Sequence, residues 1–529
     1  MGEIRTIPPV LTRTEWNALL DHSLEKETSF IIRSGSASGL FEAISGSGVH
    51  AGKIAYSGSS ILTVVTSTIN SMTSGSILFK TGIYDFGTIT DNAIILKSNM
   101  SLKGERGAVF RWNSGLSTGN KALVYATGKS NIEISGLEFD GKGALNQGAL
   151  AIRTEGNSEN VVIRNNIAYG ISGTFASIVN TKKLLITENI CPSGSPSSGS
   201  NQAFCGLDGI TGSIISNNYS FVWDTFCLIA RSANMLIVNN VSEGDSQGFA
   251  TDLILQVPTD TLRNIIIDSN YFYNHGNMIN LHDVDINNPG TAKNIRITNN
   301  ILRLSGTVAH ISMATGKSVE GLVISNNLID GENFTNGGAG ITFSSGIHEG
   351  YVITNNTIKH INSGSGNGTG IWDGGGSSAT WKNFVISNNI IDDVGGKAIE
   401  AWMIISGSII GNSLVPLTGS RTFNSFQIYN ASGSVAIGNI LTANIGSVPT
   451  TGGFKLLQNS GYVTKDSGYS SGSSGVSVSH TLSSQATKIL VTASGSNPML
   501  FSVAPPDNTR FNVYHTGSGI VYFYWEAEV

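Results

Sequence analysis

Charge is what this sequence has least of. Asp, Glu, Lys and Arg together make up 13% of 529 residues, and the formal net charge is -5. Globular chains usually carry about a quarter charged residues. A chain with so few cations and a negative balance is a poor electrostatic partner for nucleic acid. It also lacks the polybasic patch that holds a protein on an anionic membrane surface. Cysteine is nearly absent: Cys191, Cys205 and Cys227 are the only three. An odd and small number does not make a disulfide framework, so buried or half-buried thiols are expected. No run of 18 apolar residues occurs, so no membrane-spanning helix is expected. The opening "MGEIRTIPPVLTRTEW" has no apolar core of a secretory signal. The expectation is a soluble chain made in the cytoplasm, which reaches a cell exterior by another route, such as a virus particle.

What the sequence does have is Gly (64 residues), with abundant Ser, Thr and Asn, and a repeat. "VISNNLIDG" (Val323 to Gly331), "VITNNTIKH" (Val352 to His360) and "VISNNIIDD" (Val385 to Asp393) are near copies. The second residue of the doublet falls at Asn166, Asn189, Asn218, Asn240, Asn270, Asn300, Asn327, Asn356, Asn389, Asn412 and Asn439, in steps of 22 to 33 residues. Leu137 takes the same slot in "IEISGLEFDG". A period of this size marks a solenoid, propeller or array. The apolar spacing before each doublet is two, as in "NIRIT" and "GLVIS", which excludes helical repeats. Propeller blades need longer repeats, and a leucine framework is missing. A parallel β-helix of about 12 coils remains, with strands stacked roughly 4.8 Å apart. Asn at each corner suits this fold, because it tolerates the left-handed backbone region and its amide can bond the next Asn in a ladder. The doublets are therefore structural.

A second strand follows in each coil, for example "ALAIRTE", "FCLIAR", "MINLHD", "AHISMA", "AGITFS", "TGIWDG", "AIEAWM" and "FQIYNA". Residues 1–50 form an N-terminal region, with Thr12 and Glu15 as a capping box before an apolar stripe of Trp16, Leu19, Leu20 and Leu24. "ILTVVTSTINSM" (Ile61 to Met72) reads as a helix that covers the open end of the solenoid, which spans 51–460. Residues 461–529 read as a small antiparallel β-sandwich entered through a flexible Ser/Gly linker, "KDSGYSSGSSGVS".

The segment Ala51 to Phe86, with Gly75, Ile77, Phe79, Gly82 and Tyr84, resembles the entry of pectate-lyase-superfamily β-helix proteins. The tail "VSVSHTLSSQATKILVTAS…FNVYHTGSGIVYFYWEAEV" is similar to C-terminal β-domains of phage and archaeal-virus tail fibres and tailspikes. The resemblance covers residues 50 to 529. It implies an all-β, right-handed, single-stranded parallel β-helix that binds, and often cleaves, surface polysaccharide, usually as a homotrimer on a virion. The catalytic motifs of the polygalacturonase and pectate lyase types are absent, so no catalytic residue carries over. Asn274-His275-Gly276 is the nearest fragment.

Candidates for the site come from acids and aromatics on the second strands. Glycoside hydrolysis takes two carboxylates flanking one bond, and sugar faces stack on aromatic rings. Trp372, Asp373 and Trp381 lie in "TGIWDGGGSSATW", and Glu400 and Trp402 one coil on. With Ile371 and Ile399 inward, Glu400 points out beside Trp372, and Asp373 points in unless Gly374 to Gly376 break the strand. Asp373 and Glu400 are the candidate carboxylates, and Trp372, Trp381 and Trp402 the candidate sugar platforms. The competing reading is ordinary outward polar residues and loop-packing tryptophans. A second cluster holds His275, Asn280, His282, Asp283 and Asp285, with His282 beside Asp283 as a candidate general base. Asp283-x-Asp285-x-Asn287 resembles the start of a calcium loop, but Asn288 and Asn294 stand where it needs Gly and Glu; no cofactor is expected. Glu243, Asp245 and Asp252 form a third set, with Trp223, Asp224 and Arg231 nearby. The expected partner is a cell-surface or extracellular polysaccharide. A non-catalytic adhesin and a structural rod remain the alternatives to a hydrolase or lyase.

Overall fold

The fold was obtained as a computed structural model. It describes residues 28–35, 37–46, 51–114, 121–142, 150–171, 173–194, 203–221, 225–244, 251–256, 262–274, 276–282, 292–303, 309–313, 319–332, 338–344, 346–361, 368–374, 379–416, 424–441, 454–457, 459, 465–479, 488–494, 500–504, 510–516 and 520–528. The chain divides into two compact units, Met1–Ile329 and Asp330–Val529.

The first unit opens with three antiparallel strands, Thr28–Ser34, Phe41–Ser45 and Ile54–Gly58. The helix Ile61–Ser71 follows and buries Ile61, Val64, Val65, Thr68 and Ile69. Those positions repeat at helical spacing, which places them on one face. All five are β-branched, a poor choice for an isolated helix. The helix is therefore held by the packing of its buried stripe, and is started by the Ser60 hydroxyl, which accepts from the Thr63 N–H at 3.3 Å. The capping box at Thr12 lies outside the described residues.

From Gly75 onward the strands pair in parallel, each with its equivalent one repeat away. Ile163, Ile186, Ile215, Ile237, Ile267, Ile297 and Ile324 stack in one register column. All seven are fully buried. A row of phenylalanines runs beside them, Phe139, Phe175, Phe204, Phe226 and Phe272, with neighbouring ring centroids 5.2–6.0 Å apart. This is the parallel β-helix expected from the repeat. The solenoid has about nine turns, against the dozen expected, and one of its sheets stacks 14 strands. The corner asparagine also recurs in coils whose other arcs fall partly outside the described residues.

The corner divides its work between the two residues of the doublet. The first takes the left-handed backbone: φ is 54° at Asn165, 55° at Asn217 and Asn239, and 57° at Asn299. The second is buried and forms the ladder. Asn218 donates through Nδ2 and its backbone N–H to Asn240 Oδ1, at 2.9 and 3.1 Å, and again through Nδ2 to the Ile186 carbonyl at 3.0 Å. Each amide thus satisfies two buried backbone groups that a sharp corner would strand. At Leu137 the ladder ends, with the Leu137 N–H donating to Asn166 Oδ1.

The second unit repeats the scheme through Asn356, Asn389, Asn412, Asn439 and Asn459. It ends in two three-stranded antiparallel sheets. Their buried faces meet around Val478, Phe511, Val513, Phe523 and Trp525, the expected small sandwich. The Ser/Gly linker is corrected: Lys465–Gly472 is a strand, paired along its length with Val521–Glu528. Its composition misleads because Gly468 lies under the Trp525 ring. A Cβ there would come within 2.8 Å of Trp525 Cζ2, so the strand needs glycine where it packs on the indole.

Candidate functional site

In the second unit, Thr369–Asp373, Lys397–Ile405 and Asn424–Ser432 stack in parallel. Ile371 pairs with Ile399, and both are fully buried, which fixes the alternation. Trp372, Glu400 and Gln427 then share one register row on the opposite, outer side. Trp402 and Tyr429 stack face to face beside that row, with centroids 4.1 Å apart and planes 13° from parallel. Both rings are half-buried. Glu400 is 7% exposed. Its Oε1 accepts from Lys397 Nζ at 2.6 Å and from the Tyr429 hydroxyl at 3.5 Å. The carboxylate therefore sits inside a frame of one cation and three aromatic rings. Such a frame can stack a sugar face and bond its hydroxyls.

Two candidates stand elsewhere. Asp373 points inward and is 1% exposed, and its Oδ2 accepts from the Trp402 backbone N–H at 3.0 Å. The strand does end at Asp373, but not early enough to turn the carboxylate out. Asp373 and Glu400 therefore lie on opposite sides of the sheet and do not flank a common bond. Trp381 is fully buried and packs edge-on against Phe343, Tyr351 and Phe384. It is a core residue, because the strand Ala379–Lys382 directs alternate residues inward and Trp381 takes an inward place.

In the first unit, Arg231 is engaged by Asp208 through both carboxylate oxygens, with Nε to Oδ1 at 2.6 Å. It serves as a bridge between coils. Asn280 pairs in register with Ile254 and Ser312, and its buried Oδ1 has no hydrogen-bond partner among the described residues. The side chain of His282 and all of His275, Asp283, Asp285, Asp245, Trp223 and Asp224 lie outside the described residues. Among the described residues no group of three or more His, Cys, Asp or Glu could hold a metal ion. Cys191, Cys205 and Cys227 are buried, and burial pushes the Cys191 thiol up to about 12.

One cluster was missed. His360 Nδ1 lies 2.8 Å from Asp330 Oδ1, and its Nε2 3.8 Å from Asp393 Oδ2. Lys359 Nζ reaches the other Asp330 oxygen at 3.2 Å. Burial pushes the Asp330 carboxyl up, but hydrogen bonds from His360, the Glu332 backbone and Lys359 outweigh it and hold the group below its ordinary value. Asp393 moves the other way, raised by burial and by its neighbour Asp392. The signal was in the repeat: "TIKH" and "IIDD" place His360 and Asp393 in the same slot of successive copies, and "LIDG" places Asp330 one residue before that slot.

No family model matches the chain, and no curated protein does. Solved structures do. A glutamate-to-glutamine variant of the tailspike protein of E. coli bacteriophage HK620, in complex with a pentasaccharide, aligns over 87% of this chain and 88% of its own, with a TM-score of 0.56 at 13% identity. The unsubstituted HK620 tailspike with pentasaccharide gives a TM-score of 0.53 at 12% identity, over the same shares of the two chains. A hexasaccharide complex of the same phage protein gives 0.54 at 12% identity, again over 87% and 88%. At this identity the likeness is one of fold: the chain is a tailspike-like parallel β-helix.

Proposed function

We propose that this tailspike-like chain recognises a surface polysaccharide along the outer face of its second unit. The observation that carries the reading is the Trp402–Tyr429 stack beside Glu400 and Trp372. Parallel half-buried rings next to a carboxylate and an ammonium group offer a ring face, an acceptor and a donor within one sugar's reach. The solved tailspikes of the same fold hold oligosaccharides, which supports the same ligand class here. A virion tail and a homotrimeric state belong to this reading. Among the described residues no helix is long and apolar enough to cross a membrane.

Cleavage is the second reading, and Asp330–His360 favours it. A carboxylate held ionised fixes the imidazole through Nδ1 and leaves Nε2 toward Asp393, the arrangement of a positioned general base. Incubation with acidic and neutral polysaccharides separates the readings. Retention without new reducing ends is recognition alone. Reducing ends with unsaturated products indicate a lyase, and reducing ends without them a hydrolase. No retention on any polysaccharide overturns the proposal. A mass measurement showing a monomer at micromolar concentration removes the trimer.

A further inference from the structure

The C-terminal sandwich keeps one sheet face uncovered, and that face is not an ordinary solvated one. Lys465–Gly472, Val521–Glu528 and Lys488–Ala493 form an antiparallel sheet with the Val521 strand in the middle. Along the middle strand the side chains alternate strictly. Val521, Phe523, Trp525 and Ala527 are buried, while Tyr522, Tyr524 and Glu526 are exposed. The register brings Tyr469 opposite Tyr524 and Ser467 opposite Glu526. On the other side Thr492 faces Tyr524 and Leu490 faces Glu526.

Three tyrosines thus gather on the outer face, with exposures of 52–57%. Tyr469 and Tyr522 are near parallel, 17° apart with centroids at 6.0 Å, and Tyr524 leans on Tyr469 at 5.0 Å. Beside them runs an open trough of about 460 Å³, walled by Tyr469 and Tyr524 at one end and by Ser467 and Glu526 at the other, with Leu490 and Thr492 along the side. Volumes of roughly 300–1,000 Å³ are usual for small-molecule sites. Large exposed rings in such numbers are uncommon on a plain surface and mark a place of binding.

The chemistry of the walls selects the occupant. The rings give flat apolar faces with hydroxyls at their rims. Ser467 and Thr492 can donate and accept, and Glu526 accepts strongly. Leu490 is the one aliphatic wall, and Ser467, Thr492 and Glu526 put polar groups along the rest of the trough. Among the described residues no cation lines the trough, which disfavours phosphates, nucleic acid and uronic acids. What remains is a ligand with apolar ring faces, many neutral hydroxyls and no negative charge. We propose that this trough is a second glycan-binding site, separate from the Trp402 platform, for uncharged oligosaccharides of hexose or N-acetylhexosamine type. For its ligand class it rests on the polysaccharide reading above; its geometry is its own. A weak second site on a terminal domain would hold a long polymer near the main platform and raise the effective concentration of the next segment.

The test uses the intact chain and three variants: Trp402→Ala, Tyr469→Ala and Thr492→Arg. All alter exposed or half-buried side chains, and the arginine fills the trough from its place opposite Tyr524. The probes are oligomers of N-acetylglucosamine, α-glucan and galactan fragments, read by saturation-transfer NMR and affinity electrophoresis, with sedimentation for mass. The expected result is that at least one neutral probe binds the parent and Trp402→Ala alike. Tyr469→Ala and Thr492→Arg should each weaken it about tenfold, the scale of one lost aromatic contact. Equal binding in Tyr469→Ala and Thr492→Arg overturns the site, as does absence of binding to every neutral probe. A mass that falls in those two variants without glycan binding overturns it in favour of contact between copies of the chain. Trp402-dependent retention that survives while the trough fails leaves the main reading standing. A trough that binds while the Trp402 platform does not removes the main reading instead.

Discussion

Trp402 lies on Tyr429 with ring centroids 4.1 Å apart, one coil above the other. The parallel β-helix sets such distances, because residues equivalent in successive coils stand one strand spacing apart. An aromatic at both positions therefore makes a stacked pair without any loop to shape it, each ring covering one face of the other and leaving its outer face open to a ligand. Removing the lower ring tests this. Tyr429→Ala should weaken polysaccharide binding by about tenfold, near the upper end of what an aromatic pair contributes. Thermal unfolding should move little, since both rings are half-buried. Calorimetric titration beside a melting curve separates the two effects.

The asparagine ladder predicts a purely structural loss. The Asn240 amide accepts two hydrogen bonds from Asn218 and donates to the Ile215 carbonyl and to Asn270 Oδ1. Asn240→Ala leaves buried backbone groups without partners, at about 1–3 kcal/mol for each unsatisfied group. Urea unfolding should show a loss of about 2–4 kcal/mol, with binding unchanged in the folded fraction. A loss within experimental error would mean that water or a neighbour replaces the amide.

The ladder was also the most legible part of the sequence. A side chain that serves every coil must recur in every coil, so its position could be read from spacing alone. The site was legible in part. Alternation placed Glu400 outside beside Trp372, because Ile371 and Ile399 fixed the inward row. It could not place Trp381, since a bulky aromatic in a short strand after a glycine run fits either face until packing decides. The Lys465–Gly472 strand was hidden for a related reason. Gly468 answers to the Trp525 ring, more than fifty residues away, and local composition carries no trace of that partner. His360 was legible in principle, but only by stacking three repeats and reading down the corner instead of along the chain.

Asp330 gives the second unit a pH dependence with a definite sign. Its carboxyl is held below the ordinary value, near 3.9 when unfolded. The ionised form therefore contributes stability above that pH, and the contribution is lost as the pH falls through the lower folded value. Unfolding followed from pH 7 down to about 2 should show the parent losing stability below about pH 4. Asp330→Asn should be less stable at pH 7 and flatter across the acid range. Parallel curves for the two would remove Asp330 from the account of acid sensitivity.

Gly407 shows how closely the coils are packed. A Cβ built there falls 1.9 Å from Phe384 Cε1, and the Phe384 ring is 1% exposed. Gly407→Ala must displace a buried ring, and overpacking of this kind costs typically about 1–3 kcal/mol. Chemical denaturation of this variant should show that loss. Adding Phe384→Leu should restore part of it, because the shorter side chain vacates the contested space.

The central claim is that polysaccharide lies on the Trp372, Trp402 and Tyr429 face. Hydroxyl-radical footprinting of the intact chain, with and without a retained polysaccharide, tests it most directly, because oxidation reports the solvent exposure of individual aromatic side chains. The account predicts that Trp372, Trp402 and Tyr429 are oxidised in the free chain and protected when polysaccharide is bound, while buried Trp381 stays unreactive in both states. Oxidation of all three that is unchanged by a polysaccharide the chain retains would contradict it, and would put the binding surface elsewhere on the molecule.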